Sequence, residues 1–126
     1  MIIKEKPPLH DQLEFFIEQA VKATPIRTAV VHPVDQNSLV GAVEAAEKAL
    51  IEPILVGPES KIKATADDNN LNIDAYEIID TPHSHASAEV SCDLVRTASA
   101  SALMKGNLAT SELLGAVIHK SKGIRT

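Results

Sequence analysis

The stretch IRTAVVHPVDQNSLVGAVEAAEKAL, residues 26–50, changes its hydrophobic period from that of a strand to that of a helix within ten residues. Ile26 to Val31 is a short, β-branched apolar run after Pro25, which reads as a buried strand. The loop His32-Pro33-Val34-Asp35 follows. From about Gln36 to Leu50, the residues Leu39, Ala42, Val43, Ala46 and Leu50 then recur on one helical stripe. Asp35 stands where its carboxylate can accept from first-turn amides, so it is placed as the N-cap.

The same alternation repeats downstream. Pro53 to Gly57 is a second strand, and Pro58 suits the first turn of a helix through about Asp68. That helix has a thin apolar face, Ile62 and Ala66, which predicts a place on the rim. Tyr76 to Ile79 is a third strand, and Ser84 to Thr97 a helix with Ala86, Val90 and Leu94 inward. Ala100 to Met104 is a fourth strand, and Thr110 to Lys120 a helix with Leu114, Val117 and Ile118 inward. Upstream, Leu9, Leu13, Phe16, Ile17, Ala20 and Val21 share one stripe of a helix over about Leu9 to Ala23. Residues 1–24 are thus read as an N-terminal helical segment and 25–126 as the α/β domain. Four strand–helix alternations predict a three-layer α/β/α architecture with a mostly parallel sheet and right-handed crossovers. Gly123 reads as a helix C-cap and Ile124-Arg125-Thr126 as the start of a further strand, so the domain is expected to be incomplete.

In such sheets ligands bind beyond the carboxyl ends of the strands. Here those ends are Val31 to Asp35, Gly57-Pro58, Asp80 to His85 and Lys105 to Thr110. The last of these, in A-L-M-K-G-N-L-A-T (102–110), is the first site candidate. Gly106 would let the backbone approach a ligand closely, Lys105 supplies a point charge, and Thr110 can cap the helix and offer a hydroxyl. The same residues also read as an ordinary strand-to-helix turn with a solvated lysine.

His83-Ser84-His85 follows Pro82 at a strand end and opens a helix. Two histidines around a serine suit metal ligation or acid–base work, but no cysteine or carboxylate cluster accompanies them. Ser84 serves more simply as an N-cap, and the glycines of a hydrolase nucleophile elbow are missing. His32 lies at a cleft edge, while Asp35 and Ser38 read as cap chemistry. Arg96 ends a helix, where a cation suits the dipole, and from there it could reach a phosphate at the cleft rim. Asp35 and Asp80 are too isolated to form the acidic cluster of a phosphoacceptor module. Cys92, among apolar neighbours, reads as a small buried hydrophobe. No metal site is expected.

Composition narrows the partners. The chain has 126 residues, a net charge of −5 and 44% hydrophobic residues, which suits one soluble domain. An acidic balance argues against nucleic acid held by general electrostatics, and Phe15, Phe16 and Tyr76 are the only aromatic residues available for base stacking. A single cysteine rules out an intrachain disulfide. Met1 to Pro8 carries Lys4, Glu5 and Lys6 and no long apolar run, so neither a signal peptide nor a membrane span is expected, and the cytoplasm is the expected location.

Five segments taken together resemble one family: His32 to Ala42, Leu50 to Pro58, Pro82 to Ala86, Ala102 to Thr110 and Gly123 to Thr126. Their order and spacing resemble the phosphate acetyltransferases and butyryltransferases, above all the branch described as bifunctional enoyl-CoA hydratase/phosphate acetyltransferase. The resemblance runs from about Ile26 onward and corresponds to the N-terminal part of such proteins, with no counterpart of the hydratase half. It implies acyl transfer between coenzyme A and inorganic phosphate, with acyl-CoA as substrate and no bound cofactor. It also implies a fold like the first domain of the isocitrate and isopropylmalate dehydrogenases, with a cleft between two domains and a homo-oligomer.

Carried over residue by residue, Lys105, Gly106, Asn107 and Thr110 match the loop on the phosphate side of the cleft. Arg96 lies near an arginine that contacts CoA, and His32, Asp35, Ser38, His83 and Ser84 would line the cleft. The family's catalytic aspartate and serine–arginine pair have no counterpart here, so the chain holds no catalytic residue and is expected to be inactive alone. An arginine that the acetyltransferases carry after the Lys-Gly loop is replaced near Gly115, which tilts the likeness toward the butyryltransferase branch. The alternative is a non-catalytic module that binds CoA or phosphate, or that assembles.

Overall fold

The computed structural model describes residues 24–124 of the chain. The helix expected over Leu9 to Ala23, and the strand start beyond Ile124, lie outside the described residues. Eight elements alternate: β1 (Ile26–Val31), α1 (Gln36–Glu47), β2 (Ile51–Gly57), α2 (Glu59–Asp68), β3 (Glu77–Asp80), α3 (Ser84–Arg96), β4 (Ala102–Lys105) and α4 (Thr110–Ile124). The four strands form one parallel sheet in the order β3-β2-β1-β4. Val31 pairs with Val56 on one side and Lys105 on the other, and Gly57 pairs with Asp80, so all four strand tips end at one edge of the sheet.

Both faces of the sheet are covered, which is why the strands read as apolar runs rather than alternating ones. Val30 and Leu55 point to one face and pack with Leu39 and Val43 of α1 and Ile62 and Ala66 of α2. Val31 points to the other face, against Ala88 and Cys92 of α3 and Ala116 of α4, and Ala29, Ile54 and Val56 pack on that side with Ala100. Three layers result, as the alternation predicts. Because α3 carries the chain from β3 at one edge to β4 at the other, its helix crosses both β1 and β2. The sheet therefore reverses its winding between β1 and β4, whose following helices leave to opposite faces.

Several boundaries differ from the sequence reading. α1 ends at Glu47 rather than Leu50, because Ala49 adopts φ 59° and the Leu50 amide donates back to the Ala45 carbonyl (3.0 Å). α3 ends at Arg96 in the same way, with Ala98 at φ 62° and the Ser99 amide donating to Leu94 (2.8 Å). These are left-handed helix terminators built on alanine, so no glycine signals them. Gly123 does not end α4; the helix continues through Ile124.

Two inward faces also shift. On α3 the buried residues are Ser87, Ala88, Ser91 and Cys92, with Val90 and Leu94 flanking them. On α4 the core side is Leu113, Ala116 and Val117, while Leu114 and Ile118, expected inward, are 54% and 55% exposed. The small α3 residues let that helix lie close over the sheet, and α4 then needs only a narrow stripe.

Candidate functional site at the strand tips

The reversal between β1 and β4 brings two loops together beyond the strand tips. The Gly106 amide donates to the Val31 carbonyl (2.8 Å) and the Asn107 amide to the His32 carbonyl (2.8 Å). The Lys105–Thr110 loop is therefore stitched to the His32–Asp35 loop by backbone bonds. Gly106 is required by this seam: a Cβ there would lie 2.2 Å from the Val31 carbonyl oxygen and 2.6 Å from that of His32. The glycine thus serves approach to the neighbouring strand, a reason different from the ligand approach expected of it.

The four helix N-termini gather at the same edge. Asp35 caps α1, accepting from the Ser38 amide (3.3 Å) and from the Ser38 hydroxyl. Asp80, at the tip of β3, accepts from the Glu59 amide (2.9 Å) and so caps α2. α3 is capped by His83 rather than Ser84: its Nδ1 accepts from the Ala86 amide (3.1 Å). Ser84 instead donates to the Glu112 carboxylate (3.0 and 3.1 Å), tying the start of α3 to the first turn of α4. Thr110 is the first residue of α4, not its cap. Among the described residues, no side chain bonds the Thr110 or Ser111 amide, and the first turn of α4 stands at the strand tips.

His32 sits under this edge. It is 8% exposed, holds φ 60°, and its amide donates to the Val56 carbonyl (2.7 Å). Its Nδ1 lies 2.9 Å from the Ser87 hydroxyl, which is 2.7 Å from the Thr81 hydroxyl and donates to the His83 carbonyl (3.0 Å). Burial chiefly, then the Lys61 ammonium, lowers the His32 pKa below its ordinary 6.5; His83 adds to the shift and the Glu112 carboxylate opposes it. The imidazole is thus held neutral at neutral pH.

Of the residues singled out from sequence, His32, Asp35, Ser38, His83, Ser84, Lys105, Gly106, Asn107 and Thr110 all lie at this edge. Arg96 does not. It pairs with Asp93 (3.5 Å) at the end of α3, and the chain then reaches Ser99, whose carbonyl accepts from Arg27 Nε (2.9 Å) at the start of β1. That is the opposite end of the sheet. A hollow of about 370 Å³ also opens there, lined by Pro25, Arg27, Ile51, Glu52, Tyr76 and Glu77, and it faces away from the tips. Among the described residues no group of three or more His, Cys, Asp or Glu side chains could hold a metal ion. His85 Nε2 lies 3.2 Å from the Glu89 carboxylate, one turn along α3. Among the described residues, no helix is long and apolar enough to cross a membrane.

Sequence reasoning missed Lys61, Thr81, Ser87 and Glu112. Ser87 and Glu112 carry no local signal for the site, since the bonds that bring them to it, to His32 and to Ser84, span 55 and 28 positions.

Comparison with known proteins agrees with the resemblance read from the sequence. No family model matches the chain. It is 42% identical over 123 residues to a phosphate acetyltransferase of Rickettsia felis, covering 95% of this chain and 35% of that protein. A phosphate acetyltransferase of Rhizobium meliloti is 45% identical over 121 residues, covering 96% and 37%. A phosphate butyryltransferase of Clostridium beijerinckii is 33% identical over 100 residues, covering 79% and 33%. Among solved structures, the EutD phosphotransacetylase from Staphylococcus aureus superposes with a TM-score of 0.64 at 16% identity, over 80% of this chain and 39% of that one, a likeness of fold. The chain spans about a third of the length of the curated relatives it matches. Over a segment of that length, the chain is similar to phosphate acetyltransferases and, less closely, to phosphate butyryltransferases.

Proposed function

We propose that this chain supplies the phosphate side of a phosphate acyltransferase, which moves an acetyl or butyryl group between coenzyme A and inorganic phosphate. It would correspond to the N-terminal part, the first of two α/β domains in the arrangement the resemblance implies. The carrying observation is the seam at the β1–β4 reversal. There the loop that carries Lys105 and Asn107 is bonded to the His32 loop, and α4 begins beside it at Thr110. A cation and a helix N-terminus at a topological switch point suit a small oxyanion.

In acyl transfer the phosphate oxygen attacks the thioester carbonyl, and the negative charge moves to the carbonyl oxygen before the thiolate leaves. Donors that hold the phosphate cannot by themselves stabilise that oxyanion. The aspartate and the serine–arginine pair that the resemblance assigns to this work have no match here, so the chain alone turns over negligibly. A contact of Arg96 with CoA would, in this reading, be made at the far end of the sheet. Acyl-CoA and phosphate are the partners, a chain with a single cysteine suits the cytoplasm, and the exposed Leu114 and Ile118 offer a surface for self-association.

Titration of ¹⁵N-labelled chain with inorganic phosphate tests the proposal. Amides from Lys105 to Ser111 should shift, whereas chloride at matched ionic strength should leave them in place. Shifts spread over the surface, or none at those amides, refute it. The rival reading, a non-catalytic assembly module, is favoured by the same exposed pair on α4. It predicts concentration-dependent shifts at Leu114 and Ile118 with no phosphate response.

A further inference from the structure

We propose that His32 Nε2 is a hydrogen-bond acceptor that selects an oxyanion carrying an O–H, monohydrogen phosphate, over one that carries none, such as sulfate. The inference rests on the reading of the strand tips as a phosphate crevice and adds a selecting residue to it.

The argument is one of proton placement. The Ser87 hydroxyl has a single proton and donates it to the His83 carbonyl (3.0 Å). Toward His32 it can then only accept, so the imidazole proton lies on Nδ1, 2.9 Å away. Thr81, 2.7 Å from Ser87, can donate to the second lone pair of that oxygen. All three groups are buried, so the arrangement is shielded from exchange with water.

A neutral ring with its proton on Nδ1 leaves a lone pair on Nε2. Among the described residues, no hydrogen bond reaches Nε2. The charged and titratable groups acting on the ring are Lys61 from α2, Glu112 from α4 and His83 from the start of α3, and all three stand at the strand-tip edge. An acceptor in such a place repels a bare oxyanion and receives the hydroxyl of a protonated one. Lys105 and the α4 amides attract both kinds equally. Discrimination therefore falls to His32.

The test uses the chain labelled with ¹⁵N in histidine and backbone. The ring nitrogen shifts of His32 should report the Nδ1–H tautomer. Inorganic phosphate should move the Nε2 resonance and bind about fivefold or more tightly than sulfate, the worth of one hydrogen bond. His32→Asn keeps a nitrogen near the Nδ1 position, tolerates the left-handed backbone and removes Nε2, so the ratio should fall toward one. Ser87→Ala leaves the β1 backbone untouched and frees the tautomer, and it should erode the ratio likewise. An Nε2–H tautomer in the free chain overturns the inference. So does equal binding of phosphate and sulfate while the 105–111 amides respond to both, and in that case the crevice itself stands. If neither anion moves those amides, the crevice reading fails and this inference with it.

Discussion

At Gly106 a methyl group would meet the Val31 carbonyl oxygen at 2.2 Å and the His32 carbonyl carbon at 2.8 Å. Both are backbone atoms of a strand tip and cannot swing aside. Gly106→Ala is expected to cost about 1–3 kcal/mol, through overpacking at the seam. Chemical denaturation should show this as a lower midpoint, and the 105–111 amides should shift even without phosphate. His32 is the second residue whose surroundings decide its behaviour. Burial lowers its pKa in the fold below the ordinary 6.5, so the unfolded chain takes up a proton first as the pH falls. The resulting stability is fully present above about 6.5 and is lost as the pH drops from there through the lowered value. Denaturation midpoints measured from about pH 8 to about pH 5 should fall more steeply for the wild type than for His32→Asn. Equal slopes would show that His32 is not held neutral by the fold. Neither behaviour could be read from H-P-V-D or K-G-N alone, since the atoms that matter come from other segments.

Helix starts and helix ends were unequally legible. Asp35 as the cap of α1 is plain from sequence, because a carboxylate before an apolar-periodic run has one obvious partner. At α3 the same logic picks Ser84, yet the histidine before it takes the role and Ser84 is drawn away to Glu112. A competing long-range acceptor defeats the local rule. The ends of α1 and α3 differ from the sequence reading by three residues and one, because Ala49 and Ala98 occupy left-handed positions that usually advertise themselves as glycine. An alanine there costs about 1 kcal/mol relative to glycine. Ala49→Gly and Ala98→Gly should each stabilise the chain by about 0.5–1 kcal/mol in thermal or denaturant unfolding. Asn70, φ 55°, ends α2 with a residue that tolerates the conformation, and Asn70→Gly should gain less.

For the whole molecule, the reversal of winding between β1 and β4 is the feature that creates a site. Had β4 joined the β3 edge, Lys105 would stand beside Asp80 and the His32 loop would have no partner. The α4 face that carries Leu114 and Ile118 is the other large-scale feature. At 54% and 55% exposure these residues contribute little to the core, so Leu114→Glu with Ile118→Glu should change stability by no more than about 0.5 kcal/mol per site. The proposed self-association through this face predicts a concentration-dependent sedimentation coefficient that the double variant loses. Unfolding of that variant would instead show that α4 depends on those side chains for its place.

The order of elements, the parallel sheet, the two covered faces and the likeness to phosphate acetyltransferases were all present in the sequence. Hydrophobic period, proline and glycine punctuation and a run of family-like segments are local properties that survive without coordinates. Strand order, the seam that demands Gly106, the burial of His32 against Ser87 and the stranding of Arg96 at the far end were settled only by folding. Each of these depends on which distant backbone groups come within hydrogen-bond reach, and a linear pattern carries no record of that distance.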